Sequence, residues 1–234
     1  MPVAIFELEM SGISLAKRLL SMISNVDGFK IETGQLNDEE RAKVYCAAKE
    51  LNELPIFIDE NGNTTMMDVE NKTRELLKKY PDLGLVVVDH ISIVKTVGGK
   101  KSDTRVDEMR RISHQLHSLA KELNIAILAV AQLNRESVKG VVRRPRLSDI
   151  KESGAIEEDA DVIILLYDEM YENNKQVEDK RLEDSRHLEA IVAKQRNGRT
   201  GTAHLIFHRK YSRYDCFSPE QEAELERIAG QMII

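Results

Sequence analysis

The stretch "LGLVVVDHISIVK", residues 83–95, holds four consecutive apolar residues, Leu85 to Val88, and stops abruptly at an acid, Asp89. An apolar run of this length, opened by a glycine and closed by an acid, predicts a buried strand. Working outward, the chain alternates. "VAIFEL" (3–8), "PIFID" (55–59), "IAILAVAQ" (125–132) and "DVIILLY" (161–167) are further strand-like runs, and "HLEAIVAKQ" (187–195) and "TAHLIFH" (202–208) close the series. Helical spacing fills the gaps. "ISLAKRLLSMISNV" follows the first strand, and "NDEERAKVYCAAKELNEL" opens at Asn37 with three acids in its first turn, a start signal. "TTMMDVENKTRELLKKY" sets Val69, Thr73, Leu76, Leu77 and Tyr80 on one face, and "DTRVDEMRRISHQLHSLAKELN" does the same with Val106, Met109, Ile112, Leu116, Leu119 and Leu123. Apolar strands separated by amphipathic helices predict an α/β fold, a mostly parallel sheet with helices on both faces. The last strands follow one another across a short glycine-containing turn, so that edge is expected to be antiparallel. The organisation expected is one domain over 1–217 and a C-terminal helix over 218–234, where "SPEQ" supplies an N-cap serine, a proline at N1 and a glutamine at N3.

Composition sets bounds. A chain of 234 residues with 41% hydrophobic and 32% charged residues can bury one full core. No apolar run is long enough to cross a bilayer, and the first dozen residues carry two acids and no basic segment, which predicts a cytoplasmic protein without a signal peptide. Cys46 and Cys216 stand far apart without a CxxC, so they are expected to be two reduced, partly buried thiols. His114 and His117 share a helical face but lack the further ligands a metal site needs. The net charge of −6 argues against a protein coated in base. One local basic run exists, "KGVVRRPRLSDIK" (139–151), with five cations and a single acid, a pattern that is more often a solvated loop than a binding site.

In open α/β sheets the working residues gather at the carboxyl ends of strands. Here those ends carry Glu7 and Glu9, Asp59, Asp89, Gln132, and later Lys194 and Arg196. Asp89 after four apolar residues satisfies a Walker B pattern, the acid that holds magnesium on a nucleotide, although many α/β proteins carry that pattern by chance. Gln132 fits a γ-phosphate sensor or a plain strand cap. Lys194 and Arg196, two apart before Asn-Gly, point the same way off a strand end and suit either a phosphate or a solvated hairpin rim.

Taken together, "VAIFELEMS", "TGQLNDEE" (33–40), "PIFID", "LGLVVVDH", "SLAKELNIAILAVAQLNRE" (118–136), "RPRLSDIKESGAIEEDADVIILLY" (144–167) and "AKQRNGRTGTAHLIF" give the chain a resemblance to the RecA-like ATPase domain of DnaB-family replicative DNA helicases, up to about Tyr214. "SDIKESGAIEEDADVI" joined to "KQRNG" is the most specific part. The resemblance implies an ATP- and Mg²⁺-dependent motor that works as a homo-hexameric ring on single-stranded DNA. It implies that Glu9 activates the attacking water, Asp89 organises Mg²⁺, Gln132 senses the γ-phosphate, and Lys194 with Arg196 reaches into the neighbouring subunit's site. Lys151, Glu152 and Gly154 would touch DNA phosphates, and a primase and a helicase loader would be partners of the intact protein. The chain departs from the family at His90 and Ser92 (usually Tyr and Gln), at Lys151 (usually Arg, whose bidentate grip a lysine lacks) and at Arg199 (often Pro), and it carries a charged insert at 171–186.

A phosphate-cradling G-x-x-x-x-G-K-[ST] loop does not occur in these 234 residues. "VGGKKS" (97–102) is a decoy, since the motif would need glycine at Val94 and a hydroxyl at Lys101. In the family that loop sits on the strand and helix before "VAIFELEM", so the resemblance implies an N-terminally truncated RecA-like domain that binds ATP weakly or not at all by itself. Two other readings compete with the helicase motor. A silent ring subunit could lend Lys194 and Arg196 to a neighbour, but it would not need Glu9. A RecA-like recombinase or clock-type ATPase would not account for "KESGAIEEDAD" joined to "KQRNG".

Overall fold

The computed structural model describes residues 1–96, 104–134, 143–150, 154–168, 185–218 and 220. Lys151 and Glu152, most of the insert at 171–186 and nearly all of the expected terminal helix lie outside the described residues.

The first half of the chain builds a parallel sheet in the order β2-β1-β3-β4, from β1 (Val3–Glu7), β2 (Ile56–Asp59), β3 (Leu85–Asp89) and β4 (Ala126–Ala129). Parallel neighbours need crossovers, and helices supply them. α1 (Gly12–Ser24), α2 (Gly28–Thr33) and α3 (Asp38–Glu53) lie between β1 and β2, α4 (Met66–Lys79) between β2 and β3, and α5 (Arg105–Leu123) between β3 and β4. Three of these helices begin with a reciprocal capping box: Asn37 with Glu40, Thr65 with Asp68, and Thr104 with Asp107. Each box satisfies two otherwise orphaned backbone donors, and loss of such a cap typically costs about 1 kcal/mol. The helix starts are therefore set locally, by side chains three residues apart.

The core follows from strand alternation. Ala4, Phe6, Val86 and Val88 point to one face and are buried against Met66 and Val69 of α4 and Met109, Ile112 and Leu116 of α5. On the opposite face Val3, Ile5, Leu85 and Val87 are only half-buried, while Ile58 of β2 and Leu128 of β4 are exposed. The expected cover on both faces is thus complete on one face alone among the described residues. Val106, assigned to the buried stripe of α5 by its spacing, is exposed in the helix's first turn.

The second half forms its own antiparallel sheet, β5 (Val162–Tyr167), β6 (Ser185–Gln195), β7 (Gly201–His208) and β8 (Arg213–Cys216), in sequential order. The expected antiparallel edge is therefore a full sheet of four strands. Its first strand is not buried on both faces: Ile163, Leu165 and Tyr167 are buried, whereas Val162, Ile164 and Leu166 are about half exposed. Ile150 and the short helix α6 (Gly154–Asp159), through Ile156, cover only the first set, and Ala131 and Ile156 tie this small core to the main one. β4 pairs only with β3 and β5 only with β6 among the described residues. Each presents an open edge beside exposed apolar side chains, Leu128 on β4 with Val130 just past its end, and Val162, Ile164 and Leu166 on β5. Cys46 and Cys216 are both exposed free thiols, not the partly buried ones expected, because Cys46 faces outward from α3 and Cys216 ends the edge strand β8.

Candidate active site

The parallel sheet brings three polar strand ends together. β1 and β3 run in register so that Glu7 lies beside Asp89, and Leu8 N–H donates to the Asp89 carbonyl at 2.8 Å. Glu7 is buried, and its Oε1 accepts from the backbone N–H groups of Glu9 (3.2 Å) and Met10 (2.9 Å). That carboxylate shapes the turn after β1 and leaves the Glu9 side chain 59% exposed. Burial pushes the Asp89 carboxyl above the usual carboxylate range, the neighbouring Glu7 carboxylate pushes it further in the same direction, and His90 partly offsets both.

β4 continues the alignment beyond its last residue. Val130 N–H donates to the Val88 carbonyl and Ile91 N–H to the Val130 carbonyl, both at 3.0 Å, which sets Val130 level with Asp89 and carries Gln132 two residues further, level with Ile91. Between them sits His90, joined to Asp89 by a cis peptide and 8% exposed. Its Nε2 lies 3.6 Å from Glu9 Oε2 and 3.4 Å from Gln132 Nε2, the amide nitrogen. Glu9, Asp89 and Gln132, singled out from the sequence, therefore converge on one end of the sheet. Glu7 and His90 complete the cluster, and sequence reasoning gave neither a role. The signals were present, in two acids at strand period and in a histidine departing from the family's tyrosine, but only the fold shows what they touch.

Asp59 is different. Its carboxylate pairs with Lys72 on α4, so this strand-end acid serves packing between β2 and α4.

A second arrangement connects the end of β4 to the basic run. Leu133 bridges Ile150, and Asn134 N–H donates to the Asp149 carbonyl at 2.7 Å. Asp149, the single acid of that run, is buried, and its two oxygens take both arms of the Arg143 guanidinium at 2.7 and 2.8 Å. Arg146 N–H adds a third donor at 2.7 Å. Arg144 pairs with Glu189 on β6 at 2.7 Å. Two of the five cations thus organise the loop itself, and the braced segment 143–150 leads directly into Lys151. Gly154 opens α6, is exposed and has open space around it.

Lys194 and Arg196 do come together, but on backbone. Lys194 Nζ donates to the carbonyls of Glu157 and, at 2.8 Å, Ala160, while Arg196 donates to the Glu158 carbonyl at 3.0 Å and pairs with Asp161 at 2.7 Å. Both cations sit where α6 ends, where unpaired carbonyls and the helix dipole favour positive charge. Arg196 lies one residue past β6 and keeps 42% of its side chain exposed.

Among the described residues no group of three or more side chains is arranged to hold a metal by itself. The donor set does fit Mg²⁺ held through a nucleotide. That ion takes one or two carboxylates plus phosphate oxygens, and Asp89, crowded by Glu7 and Glu9, is a carboxylate whose charge is only partly offset by His90 and Arg18.

Residues 1–216 match the family described as DnaB-like helicase C terminal domain. The chain belongs to that family. It is similar to the replicative DNA helicase DnaB of Geobacillus stearothermophilus, 37% identical over 212 residues that make up 91% of this chain and 45% of the relative. It is likewise similar to a probable replicative DNA helicase of Trieres chinensis, at 36% over 214 residues, 92% of this chain and 46% of the relative. The chain thus spans just under half the length of these relatives. Among solved structures it resembles an isolated ATPase domain, with a TM-score of 0.83 and 30% identity, covering 93% of this chain and 75% of that one. It also resembles a DnaB-like replicative helicase described together with its interactions with primase, with a TM-score of 0.82 and 30% identity, covering 93% and 51%. The family fits the fold, a RecA-like parallel sheet with a polar cluster at its carboxyl end.

Proposed function

We propose that this chain is the motor portion of an ATP-driven replicative DNA helicase that works in the cytoplasm as a hexameric ring on single-stranded DNA. The observation that carries the reading is the convergence of Glu9, Asp89 and Gln132 at one end of the parallel sheet. Phosphoryl transfer asks a protein for positioning and charge neutralisation, not covalent chemistry. In this reading Asp89 holds Mg²⁺, Glu9 orients and deprotonates the attacking water, and Gln132 donates to the γ-phosphate. Lys194 and Arg196 face the neighbouring subunit, with Arg196 the better placed to leave its own chain. Lys151, Glu152 and Gly154 meet the phosphates of single-stranded DNA without reading sequence, a grip that suits translocation. Rooted beside Gln132 through the Leu133–Ile150 bridge and Asp149, that loop would move with the sensor strand.

The phosphate cradle is the piece these residues do not supply. The open edges of β4 and β5, flanked by exposed Leu128, Val130, Val162, Ile164 and Leu166, support the reading that a further strand pairs there and brings such a loop to the Asp89 end of the sheet. A primase and a helicase loader are the expected partners of the whole protein.

The test is strand separation. The full-length protein containing this chain is expected to unwind a forked DNA duplex in the presence of ATP and Mg²⁺ and to lose that ability when Mg²⁺ is chelated. DNA-stimulated ATP hydrolysis without any strand separation would overturn the helicase reading and leave a translocating or recombinase-type ATPase.

A further inference from the structure

We infer that Glu7 is a positioning residue whose buried side chain sets where Glu9 stands at the end of the sheet. The inference rests on the reading of Glu9 as the acid that activates the attacking water. The two acids lie two apart in "FELEM" (6–10), and on a continuing strand both would point the same way. β1 stops at Glu7 instead, and α1 does not begin until Gly12. The turn between them separates the pair: Glu7 is 3% exposed, whereas the Glu9 side chain is 59% exposed.

Backbone N–H groups in such a turn have neither a strand ladder nor a helix to receive them. Leu8 N–H ends the strand on the Asp89 carbonyl at 2.8 Å, and Gly12 N–H, where α1 begins, donates to the Glu60 carboxylate of the loop after β2. Both ends of the turn are thus tied to other elements. In its middle the N–H groups of Glu9 (3.2 Å) and Met10 (2.9 Å) both donate to Glu7 Oε1, and no other acceptor serves them among the described residues. The Glu9 carboxylate makes no hydrogen bond of its own among the described residues and comes only within 3.6 Å of His90 Nε2. Its place is therefore inherited from its backbone, and that backbone takes its course from Glu7. The task calls for an accepting oxygen, which an amide supplies as a carboxylate does.

The test separates chemistry from binding. In the full-length protein, single-turnover ATP hydrolysis with Mg²⁺ and the affinity for a non-hydrolysable ATP analogue are measured for the wild type, Glu7→Leu, Glu7→Gln, Glu9→Gln and the Glu7→Leu/Glu9→Gln double variant. Glu7→Leu fills the buried space without an acceptor. It is expected to lower the hydrolysis rate about 10²-fold, as a small misplacement of a catalytic group can, and to bind the analogue no more weakly. Glu7→Gln is expected to recover most of the rate, and Glu7→Ala replaces leucine if the branched side chain unsettles the fold. The double variant should lose no more than Glu9→Gln, since Glu7 acts through Glu9. An unchanged rate in Glu7→Leu, an equal loss of its analogue affinity, a Glu7→Gln rate just as low, or losses that add in the double variant would each overturn the inference and leave the role of Glu9 intact. Hydrolysis by Glu9→Gln at the wild-type rate would overturn the reading of Glu9 itself and the inference with it.

Discussion

If Arg196 completes a neighbouring subunit's site as proposed, replacing it with alanine is expected to lower ATP turnover by the full-length protein on the order of 10³–10⁵-fold, the contribution of an arginine supplied in trans to a phosphoryl-transfer site. The fold separates Arg196 from its neighbour in this respect. Lys194 is half-buried and spends its ammonium on carbonyls at the end of α6, so Lys194→Ala is expected mainly to loosen α6, by about 1–2 kcal/mol, and to lower activity less. Arg196 shares the same helix end but keeps a large part of its guanidinium exposed beside Asp161, from which it can be drawn to a stronger anion on an adjoining subunit. Mixed rings distinguish the two roles. Arg196→Ala and Asp89→Asn subunits, each inactive alone, are expected to regain part of the turnover when assembled together, because some interfaces then pair an intact Asp89 with an intact Arg196. If Arg196 served only its own subunit, every site in the mixed ring would stay broken and no activity would return.

Asp89→Asn carries the second large effect, and it pulls activity and stability in opposite directions. In the role proposed for Asp89, the carboxylate would hold Mg²⁺ on the nucleotide, and its removal is expected to take away several kcal/mol of transition-state stabilisation, which is at least about 10²–10³-fold in rate. The same carboxylate is a burden on the fold without nucleotide. Burial first, and then Glu7, raises its pKa above the ordinary value of 3.8. Between the unfolded and the raised folded value the native state binds more protons than the unfolded chain, so stability falls as pH rises through that window, and the penalty is complete above it. Asparagine removes the penalty. The variant is therefore expected to melt slightly higher than the wild type at neutral pH, by no more than about 2–4 °C since solvent screens a half-exposed group, and the difference should vanish in acid below the unfolded value. Thermal denaturation of both proteins across pH checks this. A wild type more stable than Asp89→Asn at neutral pH would show that the carboxylate has a structural partner.

The same contrast between local and distant determinants explains what the sequence disclosed. The start of α3 was legible because Asn37 and the acids after it act within one turn; the like caps at Thr65–Asp68 and Thr104–Asp107 are equally local but were not read, and β3 was legible because Val86 and Val88 need only a covered face. Asp89, Gln132 and Glu9 were legible as strand ends, since a parallel sheet collects its carboxyl ends on one side whatever the details. The expected resemblance to DnaB-type helicases was met over 1–216. What stayed hidden depended on residues distant in sequence. The run 161–167 gives no sign that Val162, Ile164 and Leu166 stand half exposed, because that depends on what covers β5. Lys194 and Arg196 showed their common direction but not the end of α6 that receives them, 34 to 38 residues away. The basic run 139–151 did not show that its one acid, Asp149, is its anchor.

The central claim is that Glu9, Asp89 and Gln132 form the hydrolytic half of an ATPase site whose phosphate loop pairs into the open edges of β4 and β5. The most direct measurement is ATP turnover, with and without single-stranded DNA, by these 234 residues alone and by the same chain extended through its upstream coding sequence. Turnover and DNA stimulation in the extended protein only are the expected result. DNA-stimulated hydrolysis by the 234 residues alone would mean that some segment within them already cradles the phosphates, and would contradict the account.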